Sequence, residues 1–176
     1  STLDDWLATR TTEAPPPLVE FPAIGLVHPD AGERVFATPA EYLKWRYDGD
    51  EASTHRPRVA VLLYRKHVLT KQPYIPQLIR QMEKSGIVPV PIFIAGVEAH
   101  TIVRDLLTSQ AEIEARVKRP STYDGRAAAR VDGIVNTIGF PLVGGPAGSM
   151  AAGRDATLAE RLLSSMDVPY VVATPL

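Results

Sequence analysis

The sequence predicts an α/β fold: a flavodoxin-like parallel sheet of four strands in the order 2-1-3-4, helices on both faces, and an N-terminal extension. Three observations predict it. Continuous apolar runs such as "RVAVLLY" and "IVPVPIFI" suit strands buried on both faces. Stretches with helical spacing separate those runs, and such alternation gives parallel strands joined by right-handed crossovers. The composition, 45% hydrophobic and 22% charged over 176 residues, is that of one globular domain. A chain of this size buries roughly 70% of its unfolded surface, so it needs no disulfide staple.

Residues 1–20 read as a linker or leader, stiffened into an extended arm by Pro15, Pro16 and Pro17. Residues 21–57 supply an N-terminal strand, "FPAIGLVHPD", and a short helix, "TPAEYLKWRYDG". Thr38 caps that helix, Pro39 takes its first position, Glu41 completes a capping box and Gly49 follows its end. Residues 58–176 make the α/β domain, with an insertion near 110–130. Its first strand is "RVAVLLY". The helix in "PYIPQLIRQMEKSG" carries Ile75, Leu78, Ile79 and Met82 on one face and stops at Gly86. The second strand, "IVPVPIFI", is pushed toward a sheet edge by Pro89 and Pro91, each of which removes a ladder donor. "EAHTIVRDLLTS" is a second helix with Ile102, Val103, Leu106 and Leu107 inward. "QAEIEARVKRPSTYDGRAAAR" is polar and weakly periodic, which marks the insertion. "VDGIVNT" is the third strand, "RDATLAERLLSSM" the third helix, and "VPYVVATPL" the fourth strand.

Charge and composition narrow the function. Lys plus Arg number 19 and Asp plus Glu 20, so the chain lacks the basic footprint of a nucleic-acid binder. The absence of cysteine removes thiolate zinc sites and cysteine nucleophiles. No apolar run approaches the ~18 residues of a membrane span. The first residues, "STLDDWLATRTTEAPPPL", lack the basic start and apolar core of a signal peptide. A cytoplasmic or stromal setting is expected.

Ligands of such sheets bind beyond the carboxyl ends of the strands, where the winding reverses. Here that crevice lies between the first and third strands, and "RKHVLTKQ" and "GFPLVGGPAG" meet at it. Gly139-x-x-x-x-Gly144 matches the start of a Walker A loop, but Gly145 and Pro146 stand where that motif needs Lys and a hydroxyl. The dinucleotide fingerprint is absent as well, so neither ATP nor NAD is expected here. The strand ends, Tyr64-Arg65 and Asn136-Thr137, lack the acidic cluster of a phosphate-accepting receiver. Thr70 alone offers a hydroxyl after the first strand, too few for a flavin phosphate loop. Phe140, Leu142 and Val143 fit an apolar lip for a flat ligand or a partner surface, and fit local core equally well. The layout brings His28, His67 and His100 within reach of this end of the sheet. No pair of them has close ligand spacing, so each reads as a polar loop residue rather than a structural metal ligand. His67, beside Lys66 and the crevice, is the best functional candidate.

These motifs carry a resemblance. "TIGFPLVGGPAG", followed after a helix by "LSSMDVPYVVATPL", resembles the large H subunit of the magnesium chelatase family. So do "RKHVLT", "PVPIFIAGVE", "FPAIGLVHPD" and "EYLKWR". Order and spacing agree from about Phe21 to Leu176 and weaken over the leader and the insertion. The cobalt chelatase large subunit is a more distant relative. The resemblance implies a fragment from the amino-terminal half of a far longer subunit. That subunit binds protoporphyrin IX and inserts Mg2+ in chlorophyll or bacteriochlorophyll synthesis. It also implies that ATP is hydrolysed by separate motor subunits, I and D, and that the metal-inserting residues lie outside this segment. The implied partners are those motor proteins, the remainder of the large subunit and the porphyrin, with no cofactor held tightly by the fragment. Motif membership extends to His28, Arg65, His67, Gly139, Phe140, Gly144, Gly145 and Pro146 as ligand or interface residues, with no catalytic role transferred. Lys66 departs from the commoner neutral residue at its position. The expectation is a non-catalytic structural or porphyrin-framing module. The alternative is a free-standing small-ligand-binding module of receptor or sensor type.

Overall fold

The computed structural model describes residues 20–95, 99–108, 128–143 and 156–174. The leader and the insertion near 110–130 fall almost wholly outside them. Five strands are present among the described residues: β1 (Ile24–Leu26), β2 (Arg58–Tyr64), β3 (Val88–Ile94), β4 (Gly133–Asn136) and β5 (Tyr170–Val172). They form one sheet in the order β1-β3-β2-β4-β5.

This corrects the expected four-stranded, all-parallel sheet. β2 pairs in parallel with β3 and β4, and β4 with β5, but β1 adds to the outer side of β3 in antiparallel sense. The sheet is therefore five-stranded and mixed. The prolines of β3 explain how. Val88 N–H donates to Pro57 O at the β2 side (2.9 Å), and alternation turns the nitrogens of Pro89 and Pro91 to the opposite side. The missing donors thus cost nothing in the β2–β3 ladder. Beyond them β1 pairs with Ile92, Phe93 and Ile94, and Pro91 O still accepts from Val27 N–H at 3.3 Å. The prolines make that side a poor edge for a long strand, yet three residues suffice to cover it.

The helices are α1 (Pro39–Tyr47), α2 (Arg65–Leu69), α3 (Tyr74–Lys84), α4 (Ala99–Leu107) and α5 (Ala156–Met166). At the start of α1, Thr38 Oγ1 accepts from Glu41 N–H at 3.2 Å. The return bond of the capping box lands one residue earlier than expected, on Ala37 N–H (3.1 Å). α2 occupies a stretch the sequence presents as loop, because five residues hold too little periodicity to show a helix.

Side chains of the sheet alternate between two cores. Ala60, Leu62, Val90, Ile92 and Ile94 face Phe36, Tyr42, Val103 and Leu107 on one side. Ile102 and Leu106 pack at the margin of that core rather than inside it. Val61, Leu63 and Phe93 face Ile75, Ile79 and Met82 of α3 on the other side. Each fully buried aliphatic or aromatic side chain contributes roughly 1.5–3 kcal/mol, so the two helical layers hold the sheet from both faces. β1 fits against the second core only because residue 25 is glycine. A Cβ there would stand 2.5 Å from Val35 Cγ1 and 2.9 Å from Phe93 Cζ.

Candidate functional site

β2 and β4 lie side by side, and Thr137 stitches their carboxyl ends together. Its N–H and its Oγ1 both donate to Leu62 O, at 2.9 and 2.8 Å. One residue earlier, Asn136 turns the chain: its Oδ1 accepts from Ile138 N–H (2.9 Å), and its Nδ2 donates to Tyr170 Oη (2.8 Å). Gly139 then takes φ +80°, a conformation that glycine adopts without penalty, with open space around it.

On the neighbouring strand, β2 passes from Tyr64 directly into α2, which carries His67 to the same end of the sheet. His67 Nδ1 lies 3.1 Å from Tyr74 Oη, and Tyr74 Oη lies 3.3 Å from Thr137 Oγ1. The direction of protons along this chain is set at its far end. Leu62 O can only accept, so the single hydroxyl proton of Thr137 points there. Tyr74 then donates to Thr137, and His67 Nδ1–H donates to Tyr74. In its neutral form the imidazole is therefore protonated at Nδ1 and holds a lone pair on Nε2. Burial pushes the Tyr74 hydroxyl above its ordinary pKa, which keeps the middle link protonated.

Aromatic rings complete the wall. His67 stands edge-on to Tyr64 with centroids 5.5 Å apart, and Phe140 stands edge-on to the same ring at 5.3 Å. Such pairs add about 0.5–1.5 kcal/mol beyond their burial. His67 and Phe140 thus each pack against the Tyr64 ring, at the ends of β2 and β4. His100, at the start of α4, is buried nearby, and its backbone N–H donates to Leu142 O at 3.2 Å. Gly144, Gly145 and Pro146 lie outside the described residues.

Two of the singled-out residues are occupied elsewhere. Arg65 Nε donates to Pro22 O at 2.8 Å, Nη2 donates to Phe21 O, and the guanidinium lies over the Phe21 ring. It ties the entering chain to α2. His28 is not at the crevice, because β1 runs antiparallel and its carboxyl end points toward the amino ends of the parallel strands. There His28 is buried, its Nδ1 accepting from Asp30 N–H (3.1 Å) and its Nε2 donating to Glu83 Oε1 (3.3 Å). Glu83 also receives Arg46 at 2.9 and 3.2 Å and Tyr47 Oη at 3.0 Å. Burial lowers the His28 pKa despite the pull of Glu83. Burial pushes the Glu83 carboxyl up, but Arg46, Tyr47 and His28 outweigh it and hold its pKa below the usual range.

Sequence reasoning missed Tyr64, Tyr74 and Thr137. Tyr74 carries a readable signal: it opens α3 just ahead of the apolar stripe, where a long polar-tipped ring can reach back to the strand ends. Beyond α2, a separate cleft of about 340 Å³ is lined by Val27, Val35, Val68, Ile75 and Ile79, with Lys71 Nζ and Glu33 paired at 2.8 Å on its rim. Among the described residues no three His, Asp or Glu side chains converge as a cation site. The crevice instead supplies one oriented imidazole in an aromatic wall.

Known proteins are similar to this chain. A family model described as CobN/Magnesium Chelatase matches residues 1–176. The H subunit of the magnesium chelatase of Chlorobaculum parvum is 37% identical over 160 residues, covering 91% of this chain and 11% of that protein. The chloroplastic ChlH subunit of the magnesium chelatase of rice (Oryza sativa subsp. indica) is 29% identical over 164 residues, covering 90% of this chain and 10% of that protein. Among solved structures, the catalytic subunit of cobaltochelatase from Mycobacterium tuberculosis matches with a TM-score of 0.45 and 23% identity, over 98% of this chain and 11% of that one. The chain thus spans about a tenth of the length of the relatives it matches.

Proposed function

This chain belongs to the CobN/Magnesium Chelatase family, and from that premise we propose that it is one module of the H subunit of a magnesium chelatase. The whole subunit binds protoporphyrin IX and receives Mg2+ as its second substrate, producing Mg-protoporphyrin for chlorophyll or bacteriochlorophyll synthesis. ATP is hydrolysed by partner motor subunits, I and D, and not by this segment. The observation that carries the reading is 37% identity to the H subunit of a magnesium chelatase over 91% of the chain.

The module itself frames the porphyrin and performs no chemistry on its nitrogens. Inserting a divalent cation requires a base to take two pyrrole protons and oxygen or nitrogen donors to strip the ion of water. The described crevice brings one imidazole, two phenol rings and a threonine hydroxyl, and no carboxylate. That inventory suits holding a flat aromatic molecule. No helix of the described residues is long and apolar enough to cross a membrane, and the proposed setting is the cytoplasm of a photosynthetic bacterium or the chloroplast stroma.

The test is chelation by the full-length subunit. Mixed with protoporphyrin IX, Mg2+, ATP and active I and D subunits, it is expected to give the fluorescence of Mg-protoporphyrin in an ATP-dependent way. A full-length subunit that binds no porphyrin and forms no Mg-protoporphyrin with partners of proven activity contradicts the reading.

A further inference from the structure

The chain of hydrogen bonds at the crevice does more than hold a loop. It orients a histidine. Leu62 O anchors Thr137, Thr137 accepts from Tyr74, and Tyr74 accepts from His67 Nδ1–H. A histidine that binds a metal almost always donates its other ring N–H to a fixed acceptor, which sets the tautomer and raises the basicity of the binding nitrogen. His67 meets that description. Its Nε2 makes no hydrogen bond to any described residue, and its ring stands edge-on to Tyr64, which in turn supports Phe140. One oriented imidazole cannot hold a bare Mg2+, which keeps several oxygen ligands. It can occupy the axial position of a metal whose equatorial donors come from elsewhere.

We propose that His67 Nε2 is an axial ligand for a metallated tetrapyrrole, the product side of the proposed reaction, seated against the aromatic wall of Tyr64 and Phe140. The inference rests on the reading of this chain as a chelatase module. It adds a discrimination that framing alone lacks: a lone pair aimed at the central metal favours the Mg-porphyrin over the metal-free substrate. Metal-free protoporphyrin offers no vacant coordination site to that nitrogen. Tyr74 is a positioning residue here. Removing its hydroxyl leaves Nδ1–H without its acceptor and releases the tautomer.

The experiment titrates Mg-protoporphyrin IX and metal-free protoporphyrin IX separately into the full-length subunit, read by absorption and magnetic circular dichroism. His67→Ala is expected to weaken Mg-protoporphyrin binding by about 10–100-fold or more, since losing only the outer-shell support of a metal ligand already costs about that much. Metal-free protoporphyrin binding should weaken much less, because it loses one ring contact and no metal ligand, and the binding that remains also shows that the variant is folded. Added imidazole should restore the five-coordinate spectrum. Tyr74→Phe should weaken Mg-protoporphyrin binding less than His67→Ala and in the same selective way. Equal Mg-protoporphyrin affinity and an unchanged spectrum in His67→Ala overturn the axial ligand while leaving the chelatase reading intact. A wild-type subunit that binds neither porphyrin overturns both.

Discussion

His28 and His67 are the same residue type held in opposite ways. The His28 side chain is 0% exposed, with Nδ1 accepting from Asp30 N–H and Nε2 donating to Glu83. Its neutral tautomer carries the proton on Nε2, and neither nitrogen has capacity left. His67 is half-buried, donates from Nδ1 into a chain of hydroxyls, and keeps its Nε2 lone pair. The first histidine closes a polar net joining the turn after β1, α1 and α3. The second is oriented and left incomplete. The first histidine is complete within the fold, whereas the second keeps one nitrogen open to a ligand or to water.

On this contrast, the largest loss of stability comes from the closed net. Glu83→Ala leaves Arg46, Tyr47 and His28 without their common acceptor in a largely buried place. It should cost about 2–4 kcal/mol, read as a lower denaturant midpoint. Gly25→Val comes next. The new side chain must displace Val35 and Phe93, and overpacking of this kind costs about 1–3 kcal/mol.

The pH response should sharpen the comparison further. In the folded chain His28 sits below its ordinary pKa of 6.5 and Glu83 below 4.5. The unfolded chain therefore binds protons more readily at both groups. Their contribution to stability is complete above about pH 6.5 and declines as pH falls, first through the His28 window and then through that of Glu83. Denaturant midpoints measured from about pH 8 down to about pH 4 should show this decline, and His28→Gln should remove its upper part. A decline that is identical in His28→Gln assigns it to other groups.

Smaller effects belong to the crevice. His67→Ala should change stability by less than about 1 kcal/mol, since it removes one neutral hydrogen bond and an edge contact from a half-buried ring. Smallest of all, Lys71→Ala should leave the denaturant midpoint unchanged, because Lys71 and Glu33 are 77% and 88% exposed.

The two regions also differ in how far the sequence reveals them. Buried strands such as Arg58–Tyr64 announce themselves as unbroken apolar runs, and Thr38 and Pro39 mark the start of α1. β1 is legible as a strand, but three residues cannot say which neighbour they join or in which direction. That ambiguity hides the true place of His28, since an antiparallel strand delivers its carboxyl end to the far side of the sheet. His67 is readable as a crevice residue because it closely follows a buried parallel strand. Its partners are not. Tyr74 and Thr137 lie 7 and 70 positions along the chain from it, and only the side-by-side placement of β2 and β4 brings them into line.

The most direct measurement is the tautomer of each ring. Long-range 1H–15N correlation spectra of chain labelled with 15N-histidine, recorded above about pH 7.5 where imidazoles are neutral, separate a pyrrole-like nitrogen from a pyridine-like one. His28 is expected to be protonated at Nε2 and His67 at Nδ1, with His67 losing that preference in Tyr74→Phe. A His67 protonated at Nε2 in the wild-type chain would contradict the proposed ligand role, because the nitrogen assigned to the metal would then have no lone pair to give.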